Sequence, residues 1–178
     1  MIEAKLNKEI LDRVEARAYE LLVKYRGCAQ CSFFAIQDVC CLEGDLIAKA
    51  SVVLSGGVAG LGSACGALTG ASLALGIKYG RDISMLSGPI EEAIEQENAA
   101  LEPIARLGKW FERKFGSIEC RDLRKAFLGT VLSREVPWQQ EWLDELGVKE
   151  YCGRLVAQTA RRAAAMLENP RLTITEEL

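Results

Sequence analysis

The sequence predicts an all-α protein, a compact bundle of about seven helices around a central helix rich in glycine and alanine. Three observations lead to this prediction. Apolar residues recur at steps of three and four, no alternating apolar and polar run is long enough for a strand, and glycine or proline separates the periodic segments. The 178 residues suit one well-buried core, so we expect a single domain over 1–178.

The first half of the chain divides at its glycines. Apolar residues at helical spacing stop before Gly27, and the next periodic segment begins at Cys28. A glycine-rich stretch, SGGVAGLGS, then interrupts the pattern. The predicted elements are a helix over 5–26, a helix from Cys28 to near Gly44, a helix after an N-cap at Asp45, and a helix through ACGALTGASLALGIKYG that Gly80 ends.

The second half begins with the longest predicted helix. Pro89 lies at its first-turn position with acidic residues just behind it, and Gly116 follows its basic last turn. Short helices are expected over 120–128 and 138–145. The segment EYCGRLVAQTARRAAAMLE predicts a final amphipathic helix.

One segment is long and uncharged enough to raise the question of a membrane span. Ala50 to Ile77 carries no charged residue. Its many glycines and serines make it only weakly hydrophobic, and SGGVAGLGS would break a spanning helix midway. We therefore expect the buried helix of a soluble bundle and no membrane span.

The charge and the missing residue types narrow the function. The chain has 22 basic and 25 acidic residues, a net charge of −3, which gives no general attraction for nucleic acid. It has no histidine, which excludes Cys-His catalysis, Cys2His2 zinc sites and histidine-ligated haem. The N-terminal residues show no secretion signal, so the expected compartment is the cytoplasm.

Seven cysteines are more than core packing usually needs. In a reducing cytoplasm, metal ligation or thiol redox chemistry explains them better than structural disulfides do. Four of them, Cys28, Cys65, Cys120 and Cys152, lie at predicted helix starts, where the helix dipole favours a thiolate. Arg121, Arg124, Lys125 and Arg154 add positive charge near two of the four.

The remaining cysteines give weaker signals. Cys28 and Cys31 form a CxxC, a spacing that suits dithiol redox or half a metal site, but the βαβ context of thioredoxin-like proteins is missing. Cys40 and Cys41 are adjacent at a helix end, and packing is the favoured explanation for them. The roles of these three stay open.

A stripe of small residues surrounds the most informative cysteine. Gly62, Gly66, Gly70 and Ala74 follow one another at steps of four, which lets two backbones, or a backbone and a ligand, approach closely. Tight helix packing is the favoured reading of the stripe. Contact of Gly66 and Gly70 with a cofactor, or with a partner helix from a second copy of the chain, is the alternative.

The cysteines and their surroundings resemble a known family. CAQ at Cys28, GLGSACGALTGASLALGIKYG around Cys65, GSIEC ending at Cys120 and YCGRLV at Cys152 are similar to the family named for its C_GCAxxG_C_C cysteine pattern. The core of the match is the CGAxxG string from Cys65 to Gly70. The resemblance implies a small helical protein with a redox role, in which these four cysteines are the family cysteines.

One group of proteins related to this family is relevant to the expected cofactor. A related domain occurs in split-Soret cytochromes, beside haem-binding segments and a suspected iron–sulfur centre. This chain has no CxxCH motif and no histidine, so we do not expect haem.

The residues and the resemblance together predict a cytoplasmic redox protein, either an oxidoreductase or an electron-transfer protein with an unidentified redox partner. Cys28, Cys65, Cys120 and Cys152 would form one site that ligates a metal centre, with iron–sulfur as the favoured type, or cycles between dithiol and disulfide. The alternative is a structural zinc protein or a helical interaction module without redox activity.

Overall fold

The computed structural model describes residues 7–130 and 137–173, and within these ranges every regular element is helical. Two short 3-10 helices, Val52–Leu54 and Ile83–Ser87, accompany the α-helices. The α-helices are α1 (Lys8–Tyr25), α2 (Cys28–Cys40), α3 (Asp45–Ser51), α4 (Gly66–Tyr79), α5 (Ile90–Phe115), α6 (Cys120–Leu128), α7 (Pro137–Glu145) and α8 (Val148–Glu168). The all-α prediction is confirmed, with eight α-helices in the described residues where about seven were expected.

Most helix boundaries lie within a few residues of their predicted places. α6 begins and ends as predicted, α4 ends before Gly80, and the predicted residues 5 and 6 of the first helix lie outside the described residues. α2 stops at Cys40, earlier than the predicted end near Gly44. Gly44 is the N-cap of α3, and Asp45, the predicted cap, is the first helical residue.

α4 is the central element of the bundle. It packs against α2, α5 and α8, while α1 packs against α8 and α2 on the other side of the core. Lys78 is the only charged residue of α4, so this helix can bury most of its circumference. Its buried residues are Gly66, Ala67, Leu68, Gly70, Ala71, Ala74 and Leu75.

The small residues of α4 let it lie directly against the start of α2. A Cβ atom added to Gly70 would be 2.1 Å from the carbonyl oxygen of Ala29, far inside van der Waals contact. Ala74 is fully buried on the same stripe. Gly62 precedes the helix and has a left-handed φ of +83°. The part of the stripe that lies in α4 therefore serves tight helix packing, as favoured from the sequence.

The uncharged segment from Ala50 to Ile77 is divided among several elements. It contains the end of α3, the 3-10 helix Val52–Leu54, an irregular loop and most of α4. In the part of the chain that the structure describes, no helix has both the length and the apolar character needed to cross a bilayer.

Candidate thiol site

Three of the four predicted site cysteines begin helices, and the fourth lies one turn further in. Cys28 and Cys120 are the first residues of α2 and α6, and Cys65 is the N-cap of α4. Cys152 is the fifth residue of α8, because that helix already starts after Gly147. The predicted first-turn position of Cys152 is therefore wrong, and its backbone lies within the helical hydrogen-bond pattern.

Backbone pairing brings the starts of α4 and α6 together. An antiparallel bridge joins the two residues that immediately precede Cys65 and Cys120. The N–H of Cys65 donates to the carbonyl oxygen of Ile118 at 2.7 Å, and the N–H of Cys120 donates to that of Ser63 at 2.8 Å. These two hydrogen bonds fix the spacing of two cysteines that are far apart in sequence.

The Cys28 sulfur fits into a gap that a glycine leaves. A Cβ atom on Gly66 would be 2.2 Å from Cys28 Sγ, so any side chain at this position would displace the thiol. The N–H of Gly56 also donates to Cys28 Sγ at 3.4 Å. Gly66 directly follows Cys65, and the same contact therefore holds Cys28 next to that cysteine.

All four cysteines line one cavity of about 50 Å³ where α2, α4, α6 and α8 converge. The volume is room for a single ion or about three water molecules at roughly 15 Å³ each. Ser55, Gly56 and Gly60 of the glycine-rich loop form part of the wall. The other lining residues are Leu22, Arg26, Gly27, Ala67, Leu123, Arg124, Lys149, Tyr151, Leu155 and Val156.

The four cysteines lie at two depths. Cys65 and Cys120 are 6% and 7% exposed, so both are buried. Cys28 and Cys152 are half-buried and have access to solvent. A molecule that enters from solvent would therefore meet Cys28 or Cys152 before it meets the inner pair.

The electrostatics of Cys65 reflect both its burial and its neighbours. Burial is the largest cause that raises its pKa well above the ordinary thiol value, followed by Cys28, and Cys120 and Cys152 contribute as well. A backbone hydrogen bond from Ala67 acts in the opposite direction. The direction of this pKa shift is opposite to the thiolate stabilisation expected from the helix start.

Tyr151 is a site residue that the sequence analysis missed. It lines the same cavity as the four cysteines. Burial raises its pKa, and Cys152, Cys65 and Cys120 raise it further. The hydroxyl donates to the carbonyl oxygen of Leu123 at 3.2 Å, and the ring stacks on Phe127 with centroids 4.3 Å apart. Its position next to Cys152 in sequence was the available signal.

Two cations at the cavity were also missed. Arg26 Nη2 lies 2.6 Å from Asp144 Oδ2, and Lys149 Nζ lies 3.3 Å from the same oxygen. Both line the thiol cavity. Lys149 stands three residues before Cys152, a spacing that places the two on one helix face. Of the four cations that the sequence singled out, Arg124 lines the cavity, whereas Arg121, Lys125 and Arg154 are exposed.

The other three cysteines lie outside the cavity lining. Cys31 is buried and donates to the carbonyl oxygen of Arg26 at 2.8 Å, and burial, with a smaller effect of Cys28, raises its pKa to about 12. Burial, followed by Cys41 and Glu168, raises the pKa of Cys40 to about 11. Cys41 is exposed at the far end of α2, about 20 Å along the helix from Cys28 at 1.5 Å per residue.

Comparison with known families connects this cavity to a cysteine pattern. The family model described as "Putative redox-active protein (C_GCAxxG_C_C)" matches residues 27–166. The chain belongs to this family. The match includes all four cavity cysteines. Comparisons with curated proteins and with solved structures gave no match.

The family name gives the central string as GCAxxG, whereas in this C_GCAxxG_C_C protein the order is Cys65-Gly66-Ala67. The glycine after the cysteine is the one that contacts the Cys28 sulfur. Gly70, the last residue of the string, contacts the Ala29 backbone. Contact of Gly66 and Gly70 with a cofactor stays a prediction, since both glycines are described here by their packing against α2.

The four cysteine sulfurs of the cavity are the donor atoms that this C_GCAxxG_C_C protein would offer to a metal centre. An all-sulfur set is the type that zinc and iron–sulfur clusters prefer. However, no three Cys, Asp or Glu side chains within residues 7–130 and 137–173 are arranged to hold one metal ion. All seven cysteines are thiols in the structure. The sulfurs thus share a cavity without forming a ready coordination shell, and a metal would require their side chains to move.

Proposed function

We propose that this protein carries out thiol redox chemistry at Cys28, Cys65, Cys120 and Cys152. The observation that carries the proposal is that these four side chains, from four different helices, line one small cavity. Membership of a redox-active family supports the same class of function. A cytoplasmic location would keep the thiols reduced between turnovers.

The reaction best suited to the described geometry is exchange between a dithiol and an external disulfide. Cys28 is solvent-accessible, and the Gly56 N–H orients its sulfur. Its thiolate would attack one sulfur of the external disulfide, form a mixed disulfide and release the other half as a thiol. The proton that Cys28 gives up passes to the released thiol.

Cys65 is the best candidate for the second step. The Gly66 contact holds the Cys28 sulfur beside it, and Cys28 is the cysteine that most strongly affects its pKa. Cys65 would attack Cys28 Sγ in the mixed disulfide, which forms an internal disulfide and releases the second thiol with its proton. In total, two electrons and two protons pass from the protein to the external disulfide.

A second candidate function is the binding of a thiolate-ligated metal, as an iron–sulfur cluster or as structural zinc. The observation that favours it is the all-sulfur lining of a cavity with room for an ion. The same four cysteines would be the ligands. Such a centre would supply one-electron transfer if it contains iron and structural stability if it contains zinc.

Counting thiols and metal in one preparation distinguishes the two candidates. The protein is purified without oxygen, its metal content and absorption spectrum are measured, and its thiols are counted before and after one equivalent of a two-electron oxidant. Dithiol chemistry predicts a fall from seven thiols to five, without bound metal. Iron in stoichiometric amount together with the absorption bands of iron-bound sulfide would instead support an iron–sulfur cluster. Bound zinc whose removal unfolds the chain would support structural zinc.

Serine variants show which cysteines react. Cys28→Ser and Cys65→Ser should each abolish the loss of two thiols. Cys41→Ser is the matched control because Cys41 lies outside the cavity, and it should fall from six thiols to four. Retention of the two-thiol loss in both cavity variants, with no metal bound, would refute Cys28 and Cys65 as the reacting pair.

A further inference from the structure

We propose that the thiol cavity selects small disulfides that carry carboxylate groups, a substrate class that rests on the proposed dithiol function. The lining residues provide the reason. Arg26, Arg124 and Lys149 all line the cavity, and its described lining contains no aspartate or glutamate. The residues that line the cavity with the four thiols thus include three cations and no carboxylate.

Two of these cations pair with a carboxylate that lies outside the lining. Asp144 forms ion pairs with both Arg26, at 2.6 Å, and Lys149, at 3.3 Å. Their side chains are 41% and 32% exposed, so solvent molecules and small ligands reach them. Asp144 offsets one of the two positive charges, so this group of three side chains keeps a net charge of +1, and both cations line the same cavity as Cys28 and Cys152.

Arg26 and Lys149 are close in sequence to the two accessible cysteines. Arg26 is two residues before Cys28, in the turn between α1 and α2, and Lys149 is three residues before Cys152 on α8. A carboxylate two or three bonds from a disulfide sulfur could contact either cation while that sulfur approaches a thiol. The chain as a whole carries a charge of −3, so a preference for anions has to come from this local group.

The reaction is the exchange already described, with the external disulfide as the oxidant. Two protein thiols become one disulfide, and the substrate's S–S bond is reduced to two carboxylate-bearing thiols. The cations take no part in bond making. They raise the local concentration of the anionic disulfide and orient it, which makes them specificity residues.

Three small linear disulfides of different charge test the inference. They are dithiodipropionate, which is dianionic, hydroxyethyl disulfide, which is neutral, and cystamine, which is dicationic. Each rate of protein oxidation is divided by the rate of the same disulfide with 2-mercaptoethanol, because leaving thiols of different pKa react at different intrinsic rates. At low ionic strength we expect the normalised rate of the dianion to exceed that of the dication about tenfold, and the ratio to shrink in salt.

Variants assign the preference to the cavity. Lys149→Gln should reduce the ratio of dianion to dication at least threefold, and Lys149→Arg should restore it. Lys109→Gln removes an equal charge from an exposed position on α5 and should leave the ratio unchanged. Thermal unfolding at an unchanged temperature, with seven titratable thiols, shows that the fold is intact in all three variants.

Failure of the substrate class and failure of the proposed function give different results. Equal normalised rates for the three disulfides, or an unchanged ratio in Lys149→Gln, would overturn the substrate class and leave the proposed function standing. Oxidation of the protein by none of the three would overturn dithiol exchange itself, and the substrate inference with it.

Discussion

Replacing Gly70 by alanine tests the close approach of α4 and α2 on which the thiol cavity depends. The new Cβ would be 2.1 Å from the Ala29 carbonyl oxygen and within 2.9 Å of two further backbone atoms of that residue. Backbone cannot rotate away as a side chain can, so α2 has to shift by more than 1 Å. Such overpacking costs about 3 kcal/mol, the upper end of the usual range, and better helix propensity returns about 1 kcal/mol.

Gly76→Ala is the matched control because it lies in the same helix and its Cβ would meet nothing within 4 Å. It should gain about 0.5–1 kcal/mol of stability from helix propensity alone. Thermal unfolding measured side by side should therefore show Gly70→Ala melting roughly 5–10 °C below Gly76→Ala. Equal melting temperatures would refute the close contact between the two helices, and with it the packing that positions Cys28.

Three further predictions follow from individual contacts. Iodoacetamide at pH 8 should modify the exposed Cys41 early, as mass spectrometry of the labelled peptides will show. Cys40, whose pKa is raised to about 11, should be a thiolate in roughly one molecule per thousand at this pH and should react faster only as the pH rises towards 11. Early labelling of Cys40 would contradict this. Gly66→Ala should displace the Cys28 sulfur and slow oxidation of the dithiol at least tenfold, a loss that stopped-flow thiol assays detect and that an unchanged rate would rule out. Tyr151→Phe removes a hydrogen bond to a backbone carbonyl and should lower the free energy of unfolding by about 1 kcal/mol in urea titrations, whereas a change above 3 kcal/mol would mean that the hydroxyl has a further buried partner.

The sequence was sufficient to predict the boundaries of helices that end at a glycine. Gly116 and Gly129 have left-handed backbone at the ends of α5 and α6, and the predicted boundaries there agree with the structure. α8 begins at Val148, two residues before the predicted segment, which starts at Glu150. The helix begins after Gly147, whose φ is +74°, and Gly153 serves instead as space for the Tyr19 ring.

Contacts between distant segments account for what the sequence analysis missed. Asp45 was predicted to cap its own helix, but its carboxylate accepts a hydrogen bond from Gln37 of α2 at 2.7 Å, a partner that no local rule reveals. The balance of effects on the Cys65 thiol was missed for a related reason. A helix start alone favours thiolate, whereas the burial and the neighbouring sulfurs that outweigh it exist only once four helices are packed.

The positions of the four sulfur atoms in an experimental structure test the central claim most directly. Long-wavelength diffraction from reduced crystals locates all seven cysteine sulfurs by their anomalous signal. We predict that Cys28, Cys65, Cys120 and Cys152 surround one cavity, with Cys28 and Cys65 close enough for their Cα atoms to lie within about 7 Å, the limit for a disulfide. Location of any of the four on another face of the bundle, or a separation of Cys28 and Cys65 well beyond that limit, would contradict the account.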